Sequence, residues 1–203
     1  MRAERTELQV VDRELAAAAL LHPLRRRIVE HLREPDSASG LARRLGLPRQ
    51  KLNYHLRELE RAELLELVEE RRRGNCTERV LRATAAAYLI GPRTLGRLAA
   101  DPERIRDRFS SAYLMAVAAR VIRDLADLRG RALDAGKRLA TLTLQSEVRF
   151  ASATDRAAFT DELTREVARL AAKYHHADAP DGRTFRFVVG GYPEPDSGKE
   201  TQN

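Results

Sequence analysis

Gly46-Leu47-Pro48 divides residues 39–62 into two short amphipathic stretches, and no other feature of the chain restricts its fold so tightly. Ahead of it, Ser39 can cap a helix over residues 40–45 whose Leu41, Ala42 and Leu45 face inward. Gly46 suits the left-handed conformation that closes such a helix. Pro48 opens a second helix running to about Ala62, in which Leu52, Leu56 and Leu59 recur at i, i+4 and i+7. Its other face carries Arg49, Gln50, Lys51, Asn53, Tyr54 and Arg57. A helix, a tight glycine turn and a second helix with a polar, basic face make the helix-turn-helix layout.

The flanks fit that layout. Residues 12–33 read as two helices broken at His22-Pro23, the first capped by Asp12 and faced by Leu15, Ala18 and Ala19. Pro23 suits the first turn of the second, where a missing N–H costs nothing. Leu24, Ile28 and Leu32 line its inner face, with Arg25, Arg26 and Arg27 pointing elsewhere. After residue 62, Leu65, Leu67 and Val68 start an extended segment. Arg71-Arg72-Arg73-Gly74-Asn75 reads as a turn, and residues 77–81 return with Val80 and Leu81 as anchors. A hairpin directly after a helix-turn-helix is a wing, here tipped with arginine.

Charge follows the same pattern. The chain has 203 residues, 37 basic and 30 acidic, a net charge of +7. Arginine preference alone explains a positive sum, but its distribution is uneven. Residues 37–62 carry 6 basic and 2 acidic groups and residues 71–82 carry 5 and 1, while residues 63–70 carry 4 acidic groups and no basic ones. The two basic blocks are the helix-turn-helix and the wing. A helix fits the major groove, where Arg reads guanine, Gln and Asn read adenine, and Lys holds phosphate. The plainer alternative, an ordinary solvated helix face, accounts for the charges but not for the order of elements. Double-stranded DNA is the expected partner.

Residues 15–84 resemble the winged helix-turn-helix of ArsR-type bacterial regulators. The stretch Ala19-Leu20-Leu21-His22-Pro23-Leu24-Arg25-Arg26-Arg27-Ile28 matches the family's opening, and Ser39-Gly40-Leu41-Ala42-Arg43-Arg44-Leu45-Gly46-Leu47 its first helix and turn. Asn53-Tyr54-His55-Leu56-Arg57-Glu58-Leu59-Glu60 matches the recognition helix, and Ala62-Glu63-Leu64-Leu65 the step into the wing. The resemblance implies that Arg49, Gln50, Lys51, Asn53 and Tyr54 lie at the base edges or the groove rim, together with Arg57. It implies that Arg43 and Arg44 approach the backbone near the turn, and that Arg71, Arg72 and Arg73 reach flanking phosphates or the minor groove. His55 is implied to be packed or phosphate-facing, a weaker contact.

The chain departs from the family's metal sensors. Its recognition helix has no cysteine, and the one cysteine, Cys76, lies in the wing, where a lone thiol is a poor metal site. Nearby arginines could lower its pKa for a redox role, at best by intermolecular bonding or sulfenate. His175-His176 with Asp178 is the other candidate, but adjacent histidines on a helix diverge, and a polar helix end explains them more simply. No metal and no cofactor is expected. With no Gly-rich phosphate loop, no His-Glu-x-x-His and no supported Ser/His/Asp set, no enzymatic activity is expected.

The remainder exceeds the family's usual short terminal helix. Asp101 and Pro102 start a long helix expected over residues 101–128, with Ile105, Phe109, Ala112, Ala116, Ala119 and Ile122 as a stripe that closes a dimer interface. Strict alternation of Leu142, Leu144, Ser146, Val148 and Phe150 predicts a strand over residues 141–150. Phe159, Leu163, Val167 and Leu170 predict a helix over 155–174, and Phe185, Phe187 and Val189 a strand over 184–191. Such a unit must dock on the long helix or pair across a dimer, because two strands alone are unstable. The expected architecture is mainly α with small β elements, an α+β fold. It comprises a DNA-binding domain over 1–90, a dimerisation and effector domain over 91–193, and a tail over 194–203. The expected function is a cytoplasmic, homodimeric regulator that binds a pseudo-palindromic operator, a repressor relieved by a small-molecule effector on the C-terminal half. No run is long enough to span a membrane. The rivals are a winged-helix protein-interaction module and a non-specific nucleoid-type DNA binder.

Overall fold

The structure, a computed structural model, describes residues 5–73 and 76–195, except for the side chains of Arg73 and Cys76. The expected Gly74-Asn75 bend, the Arg73 and Cys76 roles and most of the expected tail therefore lie outside the described residues. The chain forms two compact units, Met1–Leu139 and Ala140–Asn203. The fold is α+β, as expected.

In the first unit, a strand β1 (Thr6–Val11) precedes helices α1 (Glu14–Leu21) and α2 (Pro23–His31), a two-residue strand β2 (Asp36–Ser37), and helices α3 (Ala38–Leu45) and α4 (Arg49–Arg61). Strands β3 (Leu65–Arg73), β4 (Cys76–Ala83) and β5 (Ala85–Ile90) follow. Ile28, Leu32, Leu41, Leu52, Leu59 and Leu64 are its largest fully buried side chains. Each contributes about 1.5–3 kcal/mol by leaving water. They include the periodic positions read from α2, α3 and α4, so the hydrophobic pattern and the core coincide.

Local chemistry sets the helix ends. His22 is the N-cap of α2, its Nδ1 accepting from the Leu24 N–H at 3.2 Å, with Pro23 in the first turn. Gly46 closes α3 with φ of 63°, and its own N–H bonds to the Ala42 carbonyl. Two expected caps are corrected. Ser37, not Ser39, caps α3: its backbone is extended and its Oγ accepts from Gly40 N–H at 3.2 Å. Asp12 does not cap α1. Arg13 holds that position without a side-chain bond. Asp12 instead lies against Gly91, where any Cβ would stand 1.8 Å from its Oδ1.

β3 and β4 form the expected antiparallel hairpin, with a register shift between Leu67 and Glu69, and β2 adds a short third strand in the order β2-β4-β3. The strand β3 continues through Arg73, so Arg71 and Arg72 are ladder residues opposite Glu78 and Thr77 rather than part of a turn. A second, parallel sheet joins β1 to β5 with Leu8 opposite Ala87 and Val10 opposite Leu89. Nothing in the alanine-rich β5 signals that pairing.

The long helix starts later than expected. Asp101 does cap, accepting from Glu103 N–H at 3.1 Å, but only a 3₁₀ turn, Pro102–Arg104, follows. Asp107 then bonds Phe109 N–H in a competing turn, and Ser110 caps helix α5 (Ser111–Asp134) by accepting from Tyr113 N–H. Ile105 and Phe109 are therefore off the helix, and Phe109 is fully exposed. α5 belongs to the first unit, held by Arg93–Asp127 at 2.5 Å, Arg120–Glu103 at 2.9 Å and Arg129 donating to the Leu8 carbonyl at 3.2 Å. The compact units consequently divide after Leu139, where the sequence pattern suggested residue 90.

The second unit contains helix α6 (Ala153–Tyr174), capped by Ser152 accepting from Asp155 N–H at 3.0 Å. The strands expected over 141–150 and 184–191 are not formed. A strand needs a hydrogen-bonded neighbour, and alternation reveals a face but supplies no partner. Phe150 and Phe159 nevertheless meet with ring centroids 5.3 Å apart.

Candidate nucleic-acid interface

The i, i+4, i+7 burial of Leu52, Leu56 and Leu59 fixes which side of α4 is presented outward. Arg49, Gln50, Lys51, Tyr54 and Arg57 are exposed and Asn53 is half-buried. No side chain caps α4, whose N-cap is Pro48. Its first backbone N–H groups and the positive end of its dipole therefore lie beside Arg49 and Lys51. Among the described residues, Arg43, Arg49, Lys51 and Arg57 have no ion-pair partner, which leaves their charge uncommitted.

Other predicted positions are more constrained. Arg44, though half exposed, is drawn to Asp36 at 2.9 Å, which anchors it beside the start of α3. Arg71 pairs with Glu69. Arg72 is exposed and without an ion-pair partner among the described residues, so it is the wing arginine whose charge is free. Of the four wing arginines whose side chains are described, Arg71, Arg79 and Arg82 thus have partners in the acidic block before them. Arg82 bonds its cross-strand partner Glu66 at 2.5 Å, and Arg79 lies 3.9 Å from Glu70.

His55 leaves the outward face. It is only 6% exposed, its ring packed 5.3 Å from that of His22 and 5.2 Å from that of Tyr54. Burial holds its pKa below the ordinary value, reinforced electrostatically by His22, Arg25 and Lys51 and opposed by Glu58. No hydrogen bond reaches its Nδ1 among the described residues. Of the two positions the resemblance implies for it, packed or phosphate-facing, its burial is that of the packed one.

Three couplings have no signature in sequence because each joins residues on separate elements. Arg79 of β4 grips Glu60 of α4 through both guanidinium ends, at 2.7 and 3.2 Å, tying the wing to the recognition helix. Arg25 of α2, only 15% exposed, sits 3.5 Å from Glu58, which also accepts from Arg61 at 2.8 Å. Arg25 therefore braces α4 rather than pointing away. Ser37 Oγ, besides its capping role, donates to Glu78 at 2.6 Å and so joins α3 to the wing.

On the stripe assigned to dimerisation, Ala116 is fully buried within its own unit. Ala112 is exposed, and Ala119 and Ile122 are half-buried. A seam of Met115, Ala118, Ile122 and Leu125, spaced 3, 4 and 3, lies on the more open side, with Met115 64% exposed. His175 ends α6 and His176 follows it outside the helix. Among the described residues no helix is long and apolar enough to cross a membrane.

Residues 20–68 match the profile of a family described as a helix-turn-helix domain. The match covers α2 to the start of the wing, the elements that carry the outward face of α4. No curated protein matches the chain. The chain carries a helix-turn-helix DNA-binding domain, as a DNA-binding regulator does.

Proposed function

We propose that the protein is a cytoplasmic, homodimeric, sequence-specific transcriptional regulator of the ArsR type. It acts as a repressor released by an effector on its C-terminal half and has no catalytic activity. The observation that carries the DNA reading is the outward face of α4. Four basic residues around the helix-turn-helix, Arg43, Arg49, Lys51 and Arg57, have no ion-pair partner among the described residues. Beside Arg49 and Lys51, Gln50, Asn53 and Tyr54 supply the donors and acceptors that read base edges. The Arg79–Glu60 grip fixes where Arg72 stands relative to that face, as a wing reaching flanking phosphates requires.

Dimerisation is assigned to α5 through Met115, Ala118, Ile122 and Leu125, which follow the spacing of a helix–helix seam. A two-fold protein matches a pseudo-palindromic operator.

Site selection with the full chain, followed by gel shifts over a salt series, tests the reading. One enriched inverted repeat is expected. Arg49→Ala or Gln50→Ala costs about 1–3 kcal/mol and relaxes the preference at one base pair. Arg72→Ala weakens binding to all sequences and flattens the logarithmic salt slope by about 0.9. Steep salt dependence without an enriched site would instead mark a non-specific binder, and retention of an acidic protein but no DNA an interaction module.

A further inference from the structure

Residues 141–150 find no strand partner among the described residues. Leu142, Leu144 and Val148 are 70, 86 and 49% exposed. No backbone hydrogen bond joins this segment to any other described residue. Its alternation is that of a strand with one apolar face, and the Phe150–Phe159 contact turns that face toward the apolar stripe of α6. That stripe is open too: Phe159, Leu163, Val167 and Leu170 are 37–45% exposed and no residue of α6 is buried. Unpaired backbone groups beside exposed leucines are a template for another strand.

We propose that the missing partner is the same segment of a second copy, paired antiparallel about Val148 over residues 146–150, the stretch this register leaves clear of α6 and its cap. This rests on the dimeric reading above and extends it to the second unit. The charges are self-complementary in this register. Two strands crossing at Val148 set Glu147 opposite Arg149 of the partner subunit, and Arg149 opposite Glu147 of the partner subunit, on one face. The opposite face is the apolar one, with Val148 beside its own mate. α6 has the same polarity. Asp155, Asp161 and Glu162 outnumber Arg156 in its first half, and Arg165, Arg169 and Lys173 outnumber Glu166 in its second. Two such helices lying antiparallel over the paired strands oppose unlike halves and cover the apolar face at Val148 and Phe150. The second unit is then one half of a layer that only two chains complete.

The test uses the full chain carrying Cys76→Ser, so that no native thiol interferes. In an antiparallel pair, residues on the two-fold axis have Cα atoms about 4.5–5.5 Å apart, a separation that a disulfide spans. Val148→Cys chains are expected to cross-link to a dimer under mild oxidation. Thr143→Cys chains are not, because ten residues of offset place the two thiols about 34 Å apart. Glu147→Arg and Arg149→Glu should each weaken dimerisation about tenfold in sedimentation, and the double exchange should restore it. A chain that sediments as a dimer without cross-linking through Val148→Cys, or that cross-links equally at both positions, overturns the pairing. So does a monomeric chain. Operator selection by a chain that fails to cross-link refutes this pairing alone, and cross-linking by a chain that selects no DNA refutes the regulatory reading alone.

Discussion

The two units of this chain use similar patterns of apolar residues to opposite ends. In α4, Leu52, Leu56 and Leu59 at helical spacing are 0–3% exposed. In α6, Leu163, Val167 and Leu170 at equally regular spacing are 37–45% exposed. The helices differ in what surrounds them. α4 is enclosed by α1, α2, α3 and β3, whereas α6 is flanked by segments that form no strand. Periodicity reports that a face must be covered. It does not report whether the cover belongs to the same chain.

The largest expected effect separates these cases directly. Leu59→Ala leaves a cavity in the core cluster that Leu59 shares with Leu32, Leu52 and Leu64 and should cost about 2–5 kcal/mol in the thermal or urea unfolding of the first unit. Leu163→Ala should leave the melting of that unit unchanged and act only on association. If Leu163→Ala lowers first-unit stability as much as Leu59→Ala does, the contrast between the helices is wrong.

What was readable from sequence follows the same division. The helix-turn-helix was legible because its signals are local: a helix-closing Gly46, a helix break at His22-Pro23, and leucines at fixed spacing. The outward face of α4 was legible for the same reason, since choosing the buried leucines chooses the exposed arginines. His55, read as packed or phosphate-facing, was harder to place because it falls at i+3 from Leu52, on the edge of the buried stripe, where polar identity and inward position conflict. The cap of α3 was missed by two residues because two serines compete and the backbone at Ser37 decides. The parallel pairing of β1 with β5 and the Arg79–Glu60 grip were illegible, because each depends on where distant elements are brought by packing. In the second unit the alternation of residues 141–150 was read correctly as a pattern, but pattern alone does not form a ladder.

A smaller effect probes the buried side of α4. The pKa of His55 in the folded chain lies below the ordinary 6.5, chiefly through burial, with His22 and Arg25 of the α2 end, Lys51 of α4 and the opposing Glu58 around it. The unfolded chain therefore binds a proton at this site more readily than the folded one. Stability from this group is fully present above about pH 6.5 and is lost as pH falls from there through the depressed folded value. Melting temperature should decline over that interval, and His55→Gln should flatten the decline. A slope that survives the substitution would assign it to other groups. A companion decline in operator affinity is expected, since Tyr54 packs on the same ring.

The smallest effect concerns the turn between α4 and the wing. Glu63 follows the C-cap Ala62 with φ of 59°, the left-handed region that favours glycine, while Leu64 N–H bonds back to the Leu59 carbonyl at 3.0 Å. A side chain in that conformation costs about 1–2 kcal/mol relative to right-handed backbone. Glu63→Gly removes that strain but frees the unfolded chain and deletes the exposed ion pair with Arg13 at 2.5 Å. Exposed pairs contribute about 0–1 kcal/mol, so the balance should be a gain of a few tenths to about 1 kcal/mol. A small rise in the melting temperature of the first unit is the expected result. A fall would mean that the Arg13 pair, which ties the N-cap of α1 to the end of α4, outweighs the backbone strain. In the second case the orientation of the wing would depend on β1 and α1 as well as on the Arg79–Glu60 grip, and operator affinity should drop together with stability.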